Sequence, residues 1–198
     1  MAGVGPQPGI LGTVNEQHGI LWAAARRGKL FRGGNQAAVA TAQTAGLPTT
    51  YTGGLILYNP LTSGCYLSIR EVAFSYIVAQ TAASVIGLGV AQSASALTGT
   101  LTVVPNANAL VGSATVSKGV LYSSASITLP VAPVLVANLG VQFTGAITTI
   151  PLDGPNIVQI GGGIELAPGG YMVFTSSAAG IANSFFGSCT WEEITPGP

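Results

Sequence analysis

Apolar and polar residues alternate along most of this chain, and the period is two. Residues 65–69, CYLSI, put Cys65, Leu67 and Ile69 on one face. After Arg70-Glu71 the phase reverses to Val72, Phe74, Tyr76 and Val78. Such a reversal marks a β-bulge or a strand break, because one extra residue turns every later side chain to the other face. Residues 135–143 alternate again, with Leu135, Ala137, Leu139, Val141 and Phe143 on one side. Further short strands are predicted at 55–59, 96–104, 119–124, 126–130, 156–160, 164–166, 171–175 and 185–194. The stretch 81–100, TAASVIGLGVAQSASALTGT, contains enough Ala for a helix, but its Gly, Ser and Thr oppose one, and it is assigned to strand. Many short strands separated by Gly, Pro, Ser and Asn predict an all-β sandwich or barrel.

Residues 161–174, GGGIELAPGGYMVF, show the turn chemistry most clearly. Pro168 presets φ and Gly169-Gly170 supply positive φ, so the flanking runs are expected to form a β-hairpin. Gly161–Gly163 precede a strand and lack the Lys-Ser/Thr of a phosphate loop, so they read as a bulge or a close approach of backbones.

The first 49 residues differ from the rest. Gly, Ala and Gln dominate, Pro6, Pro8 and Pro48 interrupt them, and a short helix over 19–30 is predicted to end near Gly28. An isolated helix of that length is marginal in water. The segment is therefore expected to be an extended N-terminal arm, residues 1–49, ordered by whatever it lies against, with the sandwich spanning 50–198. Charge divides the same way. Four of the six basic residues fall in RRGKLFR (26–32) against the single acid Glu16, a net charge of +3. The remainder sets Arg70 and Lys118 against Glu71, Asp153, Glu165, Glu192 and Glu193, a net charge of −3.

Composition changes the picture in one respect. Only 6% of the 198 residues are charged, against roughly 25% in an ordinary soluble domain. A surface so poor in charge is expected to be covered by other protein. No stretch combines ~20 apolar residues with freedom from Pro and polar interruption, so no membrane-spanning helix is expected. The N-terminal MAGVGPQPGILG lacks the basic start and unbroken apolar centre of a signal peptide. The two cysteines, Cys65 and Cys189, are expected as buried thiols, with one long-range disulfide between them as the alternative.

The search for chemistry is short. His18 is the only histidine, in the leader and near only Glu16, whereas a nucleophilic triad needs a held imidazole and an orienting carboxylate. Asp153 and Glu165 read as a surface pair, and Glu192-Glu193 point to opposite faces of a strand. No catalytic residue, metal site or cofactor is expected. Binding potential concentrates in the leader, where Arg26, Arg27, Lys29 and Arg32 lie beside Trp22 and Phe31. That knot could touch phosphate or stack on a base, but the low charge elsewhere disfavours nucleic acid. Docking on an acidic protein surface is the preferred reading.

IELAPGGYMVFTSSAAG followed by FFGSCTWEEI resembles the closing strands of small β-sandwich structural proteins of tailed bacteriophage virions. The matching features are Ile164–Leu166, the turn Pro168-Gly169, Tyr171–Phe174 and the ending Trp191–Glu193. The resemblance implies no catalytic residues. Together with the missing charges it leads to an expectation of a non-enzymatic virion component with a jelly-roll-like antiparallel sandwich. A capsid decoration or cement protein at the capsid surface is favoured, attached by its arm to the major capsid protein or other virion proteins. It would also self-associate, with a trimer as one form. The alternative is a tail or fibre adhesin binding a host glycan through residues 175–184.

Overall fold

Alternation survives in strands that face water on one side and disappears in strands covered on both. The computed structural model describes residues 19, 21–36, 41–43, 46–51, 54–76, 84–123, 126–142, 156–177 and 180–196. In chain order the strands are β1 (Leu30–Gly34), β2 (Thr41–Gln43), β3 (Thr50–Tyr51), β4 (Leu55–Tyr58), β5 (Tyr66–Tyr76), β6 (Ser84–Gln92) and β7 (Thr98–Thr100). There follow β8 (Val103–Val104), β9 (Asn106–Asn108), β10 (Val120–Ser123), β11 (Ser126–Thr128), β12 (Val134–Gln142), β13 (Asn156–Leu166), β14 (Gly170–Ser176) and β15 (Gly180–Ile194). All their pairings are antiparallel.

The first sheet runs β13-β5-β15-β1-β9, with β2 also on β15; the second runs β12-β6-β14-β4-β10-β8; the third is β3-β11-β7. Eight of these strands (β1, β4, β5, β6, β12, β13, β14 and β15) make a jelly roll. Taken in chain order they fill the first sheet as first-eighth-third-sixth and the second as second-seventh-fourth-fifth. Residues 98–128, between β6 and β12, form an insertion whose β9 extends the first sheet beyond β1 and whose β10 and β8 extend the second beyond β4.

The main core lies between the first two sheets. Phe31, Leu67, Ile69, Val72, Phe74, Cys189 and Trp191 come from the first, and Leu57, Ile86, Leu88, Leu121, Met172 and Phe174 from the second. A second cluster lies on the outer face of the second sheet, where Ile56, Tyr58, Tyr171 and Val173 meet Tyr51 of β3, Ile127 of β11, Leu97 and Leu129. The third sheet thus makes a partial third layer. It explains why β4 and β14 are buried at every position, and why LILY and YMVF read as continuous apolar runs.

The phase reversal in β5 is a bulge inside one continuous strand. Against β15 the register shifts between Thr190 and Trp191; against β13 it shifts between Gln159 and Ile164. Arg70 is the extra residue, and Gly161–Gly163 are the slack opposite it. A Cβ on Gly162 would stand 2.5 Å from Arg70 Nη1.

Two expectations need correcting. The turn at Pro168-Gly169 does not close a hairpin, since β13 pairs with β5 in the first sheet while β14 pairs with β4 and β6 in the second. It is a corner between layers. Gly169 has φ of 82°, and the corner is pinned by Gly169 N–H to Asn59 O, Asn59 N–H to Gly170 O and Ser93 N–H to Gly169 O at 2.8–3.1 Å. The buried Asn59 side chain adds donations to Cys65 O and Leu166 O, both at 2.8 Å. The second correction concerns the segment 1–49 expected as an arm. Its residues 30–34 are a strand inside the first sheet, between β15 and β9. The body therefore extends at least to residue 30, because Leu30 and Phe31 carry apolar side chains that the sheet buries.

Candidate functional site

The basic knot is assembled at the β1/β9 edge of the first sheet. Residues 21–26 are helical, and the helix stops where Gly28 takes φ of 65°. Gly28 N–H reaches Ala25 O at 2.8 Å and Lys29 N–H reaches Ala24 O at 3.0 Å, the paired bonds of a Schellman cap. Ala24 and Leu30 are buried. Trp22 is 41% exposed, and the Arg26 guanidinium lies 5.6 Å from the centre of its ring. That cation–π contact holds both side chains at the surface.

The next residues divide between the surface and the interior. Arg27 Nη2 donates to Glu192 Oε1 at 3.1 Å. Arg70 donates to the other oxygen of the same carboxylate and, from Nη1, to Gly161 O at 3.3 Å. Glu192 is buried and bridges two guanidiniums, as a carboxylate withdrawn from water requires. Lys29 is half-buried, and its carbonyl accepts Glu193 N–H at 2.9 Å. Arg32 is exposed on the outer face of β1. Phe31 differs from its expected role. It is buried and stacks on Trp191, ring centres 6.1 Å apart and planes 25° from parallel, so it is a core residue and not part of a contact surface.

The fold adds residues to this edge from far along the chain. Asn108 Nδ2 donates to Gly28 O at 2.9 Å, and Ala109 N–H to Leu30 O at 2.8 Å. The buried carboxylate of Glu193 accepts from Ser117 Oγ at 2.7 Å, Lys118 N–H at 2.6 Å and Gly119 N–H at 3.1 Å. These bonds clamp residues 108–119 beside the helix. Lys118 joins the basic set, and Val111 and Val116 stand 94% and 82% exposed nearby. The clamp depends on Glu193, some 75 residues later in the chain, and could not be read from the sequence. The acids are placed differently. Glu165 is exposed on β13, and half-buried Glu71 on β5 accepts from Gln159 Nε2 at 2.5 Å.

Both cysteines are free and buried, within the same core cluster. The bridge considered as an alternative is not formed. Burial pushes both thiols up; Glu193 adds to the shift at Cys65, against lowering by Ser63, Lys118 and Lys29. Among the described residues no three His, Cys, Asp or Glu gather as metal ligands, and no helix is long and apolar enough to cross a membrane. His18, Glu16 and Asp153 lie outside the described residues.

A cleft of about 300 Å³ lies between β6, β12 and β14, lined by Leu47, Val85, Leu135, Asn138 and Thr175 among others. Its side chains supply no convergent charge. Of the stretch 175–184, to which the adhesin alternative assigns glycan binding, Thr175 and Ser176 end β14 and are buried, and β15 begins at Gly180. Compared with known proteins, the chain matches no family model, no curated sequence and no solved structure.

Proposed function

We propose that this chain is a structural component of a phage virion, of the capsid decoration or cement type, held in a multi-copy layer by protein contacts. The basic edge built by Trp22, Arg26, Arg27, Lys29, Arg32 and Lys118 is its attachment surface. The observation that carries the reading is this edge: Arg26, Arg27, Lys29 and Arg32 lie together on the helix and β1, and the Lys118 backbone is tied to the same edge through the Glu193 carboxylate, in a chain of which only 6% is charged. A cationic, partly apolar edge fits an acidic protein surface, because opposite charges steer the encounter and the apolar side chains supply the burial. A layer built from repeated weak contacts gains avidity from the number of copies, so each contact can be small.

Incorporation tests it. In particles assembled with Arg26→Glu/Arg32→Glu protein, occupancy measured by quantitative mass spectrometry is expected to fall at least about tenfold against wild type, which corresponds to about 1.4 kcal/mol of lost contact. Full occupancy with a correctly folded variant would sink the assignment of the attachment surface.

A further inference from the structure

The charges on the first sheet are few, and they are sorted by edge. Cross-strand register places Gln159, Glu71, Thr190, Arg32 and Ala107 in one row, and Glu165, Ser68, Glu192 and Leu30 in another. Directly paired residues share a face. Both rows therefore lie on the outer face, with acids toward β13 and bases toward β1. Glu192 is engaged by Arg27 and Arg70, and Glu193 by the 117–119 backbone. The acids that remain toward solvent are Glu165 and, in part, Glu71; the bases that remain are Arg26, Arg32 and Lys118. Arg32 on β1 is two strand steps from Glu71 on β5 and three from Glu165 on β13, about 10 and 14 Å at the usual strand spacing.

Each edge also carries apolar surface. Ile157, on the same face of β13 as Gln159, is 56% exposed; Val111 and Val116 flank the basic edge. Among the described residues β13 pairs only with β5, so it ends the sheet.

We infer that the basic edge of one copy docks on the acidic β13 edge of a second copy, head to tail. The proposal deepens the assembly reading above, rests on it, and names the partner of the same edge. Both complementary surfaces are present on one chain: Arg32 and Glu71 share a register row, and Glu165 lies in the other row on the same face. The formal net charge is zero, so no long-range repulsion keeps copies apart. Such a contact is heterologous, and the rotation between copies determines whether it closes into a ring or runs on as a chain.

Sedimentation velocity of the purified full chain tests the pairing. Wild type is expected to associate, with an affinity at least about tenfold weaker in 0.5 M than in 0.05 M NaCl, since salt screens exposed pairs. Arg26→Glu/Arg32→Glu carries acids at both edges, and Glu71→Lys/Glu165→Lys carries bases at both. Each alone should stay monomeric with unchanged far-UV circular dichroism, and an equimolar mixture should associate again. Rescue by mixing is the supporting result. Association that persists in both variants overturns the edge pairing while leaving assembly by another surface standing. Loss confined to the basic-edge variant overturns it too, and assigns that edge to a different acidic partner. A wild-type chain that is monomeric at every concentration also overturns it; incorporation into particles then decides the assembly reading separately.

Discussion

Phe31 separates the reading of the leader as a loose arm from the fold in which it takes part. Its ring is buried against Trp191, so Phe31→Ala should cost about 3–5 kcal/mol of stability in urea unfolding, as large aromatic truncations in cores do. A loss below about 1 kcal/mol would mean that the ring is not in the core. Arg26 and Arg32, in the same basic knot, stand at the surface instead. Period-two alternation through Phe31 and Arg32 carries that information, although the surrounding cations give the stretch the composition of a binding surface. Cys65 and Cys189 give a second test. Both are buried free thiols with raised pKa, and the thiolate is the reactive form. A thiol reagent should leave the native chain almost unlabelled and titrate two thiols after denaturation. Rapid labelling of the native chain, or fewer than two thiols without reductant, would contradict this. Tyr51 sets the alkaline limit. Burial pushes its phenol up to about 12, whereas the unfolded value is about 10. The folded chain keeps a proton that the unfolded chain releases, so stability is full below pH about 10 and falls as pH rises toward about 12. Tyr122 and Tyr171, also raised by burial, act in the same direction. Unfolding midpoints measured across that range should fall together with the appearance of tyrosinate absorbance; a flat profile would contradict the burial of Tyr51.

At the level of elements, most strands from β4 onward were legible and their partners were not, while β1 was hidden in the segment read as an arm. The bulge in β5 could be read from the reversal between Ile69 and Val72, because the core demands one face and a reversal needs an extra residue. Gly161–Gly163 were legible as a bulge or close approach, but not as the slack opposite Arg70, which depends on the long-range pairing of β13 with β5. The corner at Pro168-Gly169 was misread because a turn sequence fixes only the local reversal of the chain. Which sheet each flank joins is decided by Asn59, Ser93 and the ladders of β4, β5 and β6, all distant in sequence. Gly169→Ala tests the corner. Its φ is positive, and an added Cβ would run into the backbone carbonyl of Ser93, so a loss of about 2 kcal/mol or more is expected from strain plus lost bonds. A neutral substitution would show that the corner relaxes freely. The insertion between β6 and β12 was legible only as short strands, since its role depends on Glu193, some 75 residues later.

For the whole molecule, the jelly roll limits how its attachment can be dissected. Removing residues 1–48 would take β1 out of the first sheet and the partner ring from Trp191, so a truncation meant to probe attachment must stop before residue 30. Among the described residues the few charges are unevenly distributed, with most cations on the helix and β1 and the solvent-facing acids on β5 and β13. The sequence shows a basic leader and an acidic remainder, and the fold turns that division into two sides of one sheet. The central claim is that the basic edge serves a repeated layer on a virion. It is tested most directly by counting and locating the chain in purified particles, by quantitative mass spectrometry with cryo-electron microscopy. The account predicts a copy number of the same order as the shell subunit, spread over the capsid surface. A handful of copies at one vertex or on the tail, or none at all, would contradict it.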